Sequence, residues 1–264
     1  MSLPLAPAEL FAKPWPPLLA TRGPGWPPAL HAHHSMHLVL ALDGLLRVRT
    51  SPRGRWAKAA GVLTSPDSPH AIDGRGVEML VIFFDPESEV GTAFWPGIQT
   101  PLRLVSKAER AELVRGVEDF RSLGSADAAR WAQHAATTLG LTPRVTTRRL
   151  HPGVRRLLAR LRTSGVDEDS SLEGLAEAVG LSPGRLMHVF TESVGIALRP
   201  YLSWLRVQRA ACAILGGTSL TEAAHLAGFA DASHMGRTFR RRLGFVPSTL
   251  RSMRVSSFVQ ARGE

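Results

Sequence analysis

Two stretches decide how this chain is read: SLEGLAEAVGLSPGRLMHVF, Ser171 to Phe190, and SLTEAAHLAGFADASHMGRTF, Ser219 to Phe239. Both follow one grammar. Each opens with a capping box, Ser170-x-x-Glu173 and Ser219-x-x-Glu222, in which a hydroxyl and a carboxylate satisfy amides that the first helical turn leaves without partners. Each continues as a short helix with apolar residues at helical spacing: Leu172, Leu175, Ala176 and Val179, then Leu220, Ala223, Ala224 and Ala227. Each stops at a glycine, Gly180 or Gly228, which reaches the left-handed conformation that a tight turn between helices needs.

A second helix follows at once. In the first copy Ser182 and Pro183 supply an N-cap and a proline at the first helical position, where its missing amide costs nothing. Leu186, Val189 and Phe190 are predicted to face inward, leaving Gly184, Arg185, Met187 and His188 outside. In the second copy Phe229 anchors the turn and Met235, Phe239 and Leu243 form the buried stripe. The opposite side presents Ser233, Gly236, Arg237, Arg240 and Arg241. This is the pattern of a helix-turn-helix, whose second helix enters the major groove of double-stranded DNA. Arg237 is the best candidate for a base contact, because a guanidinium can bond two acceptors of guanine. Gly184, Arg185, Met187, His188, Ser233 and Gly236 are the other positions assigned to base edges. Arg240 and Arg241 are assigned to phosphates, since consecutive helical positions cannot all face bases.

Between the copies, Leu198 to Leu215 reads as one helix with Pro200 in its first turn, ended by Gly216-Gly217. Such a rod rises about 27 Å, and with its flanking turns could hold two reading helices about 34 Å apart, one turn of DNA. Residues 151 to 254 resemble the AraC-type DNA-binding region. GLSPGRL, the GF before the last reading helix, and RTFRRRLGFVPSTLR carry the likeness. Two positions depart from it. Ala230 stands where that family usually has a capping polar residue, so either Asp231 takes over the role or the helix starts one residue late, and His188 stands where arginine is common. The resemblance implies a sequence-specific DNA-binding transcription regulator, with RNA polymerase as a protein partner.

Charge agrees. The 264-residue chain has a formal net charge of +10, and from residue 178 onward eleven Arg or Lys face four Asp or Glu. A basic domain attracts polyanions, either nucleic acid or an anionic membrane surface. No run approaches the length of a membrane span and prolines interrupt the N-terminus, so nucleic acid is expected. The single cysteine, Cys212, excludes an intramolecular disulfide, reads as a small core residue and fits a reducing cytoplasm.

Residues 1 to 24 are proline-rich and read as an arm, with Trp15 and Trp26 either covering a pocket or simply packing. From His31 the period changes to two. HLVLAL, Asp43-Gly44 and LLRVRT suggest a hairpin, followed by a strand near Trp56 to Leu63 and a doubly buried strand over Val77 to Phe84. Short strands at this spacing imply an antiparallel barrel or jelly roll. His31, His33 and His37 share one parity with Val39 and Ala41, while His34 points the other way and His70 returns toward the first set.

This stretch resembles a cupin: Gly25, His31-x-His33, His37 and Gly44 follow the first cupin motif with His in place of its usual Glu, and Gly61, Pro66 and His70 a shortened second one. In metal-binding cupins the matching positions hold one ion, so the resemblance nominates His31, His33, His37 and His70 for a single divalent transition metal, which neutral imidazoles suit. The same four could instead line an organic effector pocket or only support the fold, and no cofactor is certain.

Ser106-x-x-Glu109 is a further capping box before a helix with Leu113, Val114, Val117 and Phe120 inward, and a second helix runs from Ala126 to Leu139. These helices either cover the barrel or pair two chains into a homodimer. The expected fold class is α+β: an N-terminal antiparallel cupin-like β-barrel followed by helices, then an all-α domain with two helix-turn-helix motifs. The expected divisions are a sensor and dimerisation domain at 1–140, a linker at 141–150, the DNA-binding domain at 151–254, and a patternless tail at 255–264. An alternative is a metal-dependent cupin enzyme fused to a DNA-binding region. The sequence shows no carboxylate beside the histidines and no nucleophile constellation, so a regulator and not an enzyme is the reading.

Overall fold

The computed structural model describes residues 18–88, 91, 94, 100–115, 125–141, 150–163 and 171–258. The expectations for the proline-rich arm up to residue 17, Val117, Phe120, Ser170, residues 142–149 of the linker and the last six residues lie outside these. The chain divides into two compact units. One holds the described residues of Thr146–Met235, the other those of Trp15–Val145 and Gly236–Glu264.

The second unit is built on two antiparallel sheets. The strands are β1 (Leu18–Pro24), β2 (Met36–Ala41), β3 (Leu46–Arg49), β4 (Ala57–Ala59), β5 (Gly61–Thr64), β6 (Ala71–Asp73), β7 (Glu78–Phe84), β8 (Leu102–Val105) and β9 (Arg254–Phe258). Their order is β8-β5-β2-β7-β1-β9 in the larger sheet and β4-β3-β6 in the smaller. Both faces of β2 are buried. Met36, Leu38 and Leu40 join a core with Phe84, Phe94 and Leu113, while His37, Val39 and Ala41 face the opposite way.

Four expectations for this unit need correction. The hairpin across Asp43-Gly44 does not form: the turn is there, with Gly44 at φ 62°, but β2 pairs with β5 and β7 while β3 pairs with β4 and β6. Asp43 instead accepts a hydrogen bond from the Glu78 amide at 3.0 Å, so the turn is a corner between sheets. The single strand expected near Trp56 to Leu63 likewise breaks at Ala60, with β4 and β5 going to different sheets. The arm ends sooner than expected, because the proline-free run from Leu18 pairs along β7 as β1. The tail read as patternless begins with β9, which pairs antiparallel to β1.

Two helices belong to the same unit, α1 (Lys107–Arg115) and α2 (Ser125–Thr138). The capping box of α1 is reciprocal: Ser106 N donates to Glu109 Oε2 at 2.8 Å and Glu109 N to Ser106 Oγ at 3.2 Å. Trp131, Ala132, Ala135 and Ala136 of α2 close the core over Met36 and Phe84, with the Trp131 and Phe84 rings stacked 6.2 Å apart.

The helical unit contains α3 (Pro152–Thr163), α4 (Leu172–Glu177), α5 (Pro183–Val194), α6 (Leu198–Leu215) and α7 (Leu220–Leu226). The second reading helix, α8 (Ala232–Leu243), begins here and continues into the residues grouped with the sheets. Leu157 and Leu161 of α3, Leu175 of α4, Leu186 and Phe190 of α5 and Tyr201 and Leu205 of α6 form one core. The rod α6 has the bounds expected from its apolar spacing and its two-glycine stop. Cys212 lies fully inside it, and burial pushes its thiol pKa up, as expected of an inert core residue.

Candidate nucleic-acid interface and histidine site

The first reading helix starts where its sequence requires. Ser182 Oγ accepts from the Arg185 amide at 3.3 Å and Pro183 occupies the first turn of α5. The helix before it is capped by Ser171, which accepts from the Gly174 amide at 3.0 Å, while the expected cap Ser170 lies outside the described residues. At the second copy Ser219 caps α7 as expected, accepting from the Glu222 amide at 3.2 Å. Gly180 and Gly228 make the two turns at φ 70° and 75°. Asp231 replaces the missing cap at position 230, its Oδ1 accepting from the His234 amide at 2.6 Å.

Burial divides both reading helices as the sequence implied. On α5, Leu186, Val189 and Phe190 are buried while Gly184, Arg185, Met187 and His188 are exposed, Met187 at 48%. His188 is engaged on the surface by Glu192, at 3.2 Å. On α8, Met235, Phe239 and Leu243 are buried, and Ser233, Arg237, Arg240 and Arg241 are exposed with Gly236 half-buried. Each helix thus keeps a polar or basic face clear of its own core. Phosphates and base edges are the partners such faces fit.

The four nominated histidines come together in the sheet unit. His31 and His70 pair through their backbones, His31 N to His70 O at 3.0 Å and His70 N to His31 O at 2.9 Å. That pairing sets their rings side by side, with centroids 4.3 Å apart. His33 lies 5.1 Å and His37 4.7 Å from His70. All four are buried. One ring nitrogen from each of His31, His33 and His70 lies within 4.8 Å of the others. His37 stands beside them, its Nδ1 3.2 Å from His33 Nε2.

Protonation is largely dictated by neighbours. His31 Nδ1 lies 2.8 Å from the Ala29 carbonyl and His70 Nδ1 2.8 Å from that of Ser68. A carbonyl can only accept, so both rings carry their proton on Nδ1 and leave Nε2 a lone pair. The Nε2 atoms of His37 and His70 are buried with no hydrogen-bond partner among the described residues. Burial holds His33 and His37 well below the usual histidine pKa, and the neighbouring rings add to that. Burial brings His70 down to about 3, helped by His31. Burial lowers His31 as well. Neutral imidazoles oriented by backbone carbonyls are the donor set of a transition-metal site, so these residues fit such an ion.

His34 does face the other way, toward partners that lie 33 and 53 residues further along the chain. Asp67 accepts at 2.6 Å from Nδ1 and the buried Glu87 at 3.0 Å from Nε2. Burial alone would discharge this ring, but Glu87 and Asp67 outweigh it and hold its pKa at about 10. Of the two readings of Trp26, packing is the one seen: it is buried against Phe245, ring centroids 4.9 Å apart.

The fold and the two exposed helices define a class, and comparison with known proteins gives the same one. The helix-turn-helix domain family matches residues 175–253. Residues 175–253 therefore form a helix-turn-helix domain by sequence as well as by structure. It is 35% identical over 98 residues to the HTH-type transcriptional regulator RipA of Corynebacterium glutamicum, covering 37% of this chain and 30% of that protein. It is 32% identical over 80 residues to the uncharacterized HTH-type transcriptional regulator YijO of Escherichia coli, covering 30% and 28%. The chain therefore aligns with less than a third of either curated relative. In three dimensions it is similar to ToxT from Vibrio cholerae O395, with a TM-score of 0.59 over 88% of this chain and 95% of that one. At 13% identity that likeness is one of fold. Among the described residues no helix is long and apolar enough to cross a membrane.

Proposed function

We propose that this chain is a cytoplasmic, sequence-specific DNA-binding regulator of transcription, divided at about residues 141–150 into a sensor and a DNA-binding part. The observation that carries this reading is the pair of capped, glycine-turned helix-turn-helix units whose second helices leave Arg185, His188, Ser233 and Arg237 exposed opposite a buried stripe. Its sensor takes a small molecule or a metal ion, and the histidine cluster favours the ion. A small organic effector is the second form of this reading, supported by ToxT of Vibrio cholerae, whose structure has been solved with an unsaturated fatty acid bound. A homodimer and contact with RNA polymerase complete the reading. The test is selection of bound fragments from genomic DNA by the purified chain. Enrichment of a shared sequence supports a regulator, and equal binding of all fragments sinks sequence-specific control.

On a selected fragment, Arg237→Ala is expected to cost about 1–3 kcal/mol and to relax preference at one base pair, as loss of a bidentate guanine contact would. Competition with single-base variants of the fragment checks it. An equal loss on every variant would move Arg237 to the phosphate contacts.

Arg240→Ala and Arg241→Ala should instead weaken binding to all sequences alike. Each should reduce the slope of log affinity against log salt by about one, because each phosphate contact releases close to one counterion. A change in the preferred base with an unaltered slope would contradict the phosphate assignment.

A further inference from the structure

The second reading helix ends against the histidine cluster. After Leu243 the chain turns at Gly244 with φ 74°. A Cβ there would stand 2.5 Å from His31 Nδ1, 3.0 Å from His31 Cε1 and 3.2 Å from the Ala29 carbonyl oxygen. Other left-handed glycines are not confined in this way: at Gly180 and Gly217 the same atom would meet nothing within 4 Å. Gly244 is thus glycine for two separate reasons, its backbone conformation and the imidazole that fills the space beside it. Phe245, the next residue, is buried on Trp26.

The turn at residues 66–70 serves both parties. It brings in His70 through the bridge to His31, and the Asp67 amide donates to the His33 carbonyl at 2.8 Å. Its Asp67 carboxylate also acts on Arg242 of α8, offsetting part of the lowering that burial and Arg241 impose on that guanidinium. His31 is therefore shared. One edge of its ring abuts the stop of the reading helix, and its Nε2 belongs to the cluster.

We propose that His31 links the two sites: a divalent transition metal bonded to His31, His33 and His70, with His37 beside them, fixes the ring on which the Gly244 turn rests, so occupancy of the cluster sets DNA affinity through the end of α8. His31 meets His33 tilted at 5.5 Å and His70 edge to face at 4.3 Å, and an ion bonded to all three ties its ring to theirs. Restricting His31 restricts the turn that packs on it. Linkage is reciprocal, so DNA must change metal affinity by the factor by which metal changes DNA affinity. The inference rests on the regulator reading and on the metal form of its sensor.

The test uses the full chain, a DNA fragment recovered by selection, and Zn²⁺ as the probe. DNA affinity is measured with Zn²⁺ and with a chelator, and Zn²⁺ affinity by chelator competition with and without the fragment. The expected result is a change of about fivefold or more, equal in both directions. Gly244→Ala should weaken Zn²⁺ by about tenfold or more through displacement of His31, whereas Gly180→Ala, which carries the same kind of backbone strain in open space, should leave Zn²⁺ affinity unchanged. The wild-type linkage needs no variant, so poor folding of Gly244→Ala leaves the test standing. Stoichiometric Zn²⁺ with unchanged DNA affinity would overturn the link and leave the metal reading intact. Failure to bind Zn²⁺ by a chain that still selects its DNA would overturn the metal reading and the link together, while the regulator reading would survive.

Discussion

Truncating Phe190 to alanine is expected to destabilise the helical unit by about 3–5 kcal/mol, the usual cost of emptying an aromatic side chain from a closed core. Phe190 is 0% exposed, and its ring meets that of Tyr201 edge to face at 5.2 Å. It sits on the hidden side of the first reading helix among residues from α3, α4 and α6, so the cavity would open where four helices meet. A domain of this size shifts its melting temperature by about 4–8 °C per kcal/mol, which makes a fall of about 12 °C or more the expected reading in a far-ultraviolet circular dichroism melt. Met187→Ala, on the exposed side of the same helix, serves as the comparison and should change stability by no more than about 0.5 kcal/mol. Equal effects from the two would show that the helix has its faces reversed, and the assignment of its reading residues would fall with it.

Replacing Glu87 by leucine is expected to cost about 3 kcal/mol in the sheet unit. Breaking a buried ion pair by removing one partner leaves the other charge without compensation. Here the charge is His34, 2% exposed, with Glu87 itself 4% exposed and 3.0 Å away. The expected loss lies at the low end of the range for such changes because Asp67 still holds the other ring nitrogen. Glu87→Gln keeps an acceptor in place and should lose distinctly less. Denaturant unfolding of the three proteins measures this, with midpoints in the order wild type, Gln, Leu. If the leucine variant were as stable as wild type, the pair would have been repaying only its own desolvation, and the rigidity of the turn carrying Asp67 and His70 would need another source.

Local rules were enough to place much of the chain. Ser182-Pro183, Ser219 and the two turn glycines are short-range chemistry, since a side chain three residues from an amide either caps it or does not. The same holds for the 3.6-residue stripes that separated Phe190 and Phe239 from Arg185 and Arg237. Parity alone grouped His31, His33 and His37, because alternate residues of an extended chain share a side. Where two serines stand side by side, only the helix start selects the cap, and Ser171 holds that place.

Side-chain pattern alone specified the helices, most of the strands, the faces they bury and the residues left outside. Strand pairing emerged only in the folded unit, since backbone hydrogen bonds between strands carry no residue code: β2 leaves Asp43-Gly44 without meeting β3, and β9 pairs with β1 across more than two hundred residues. The same is true of His34 with Glu87, fifty-three residues on, and of Gly244 with His31. Contacts at such separations depend on where the intervening chain is folded, a property of the whole unit and not of any stretch within it.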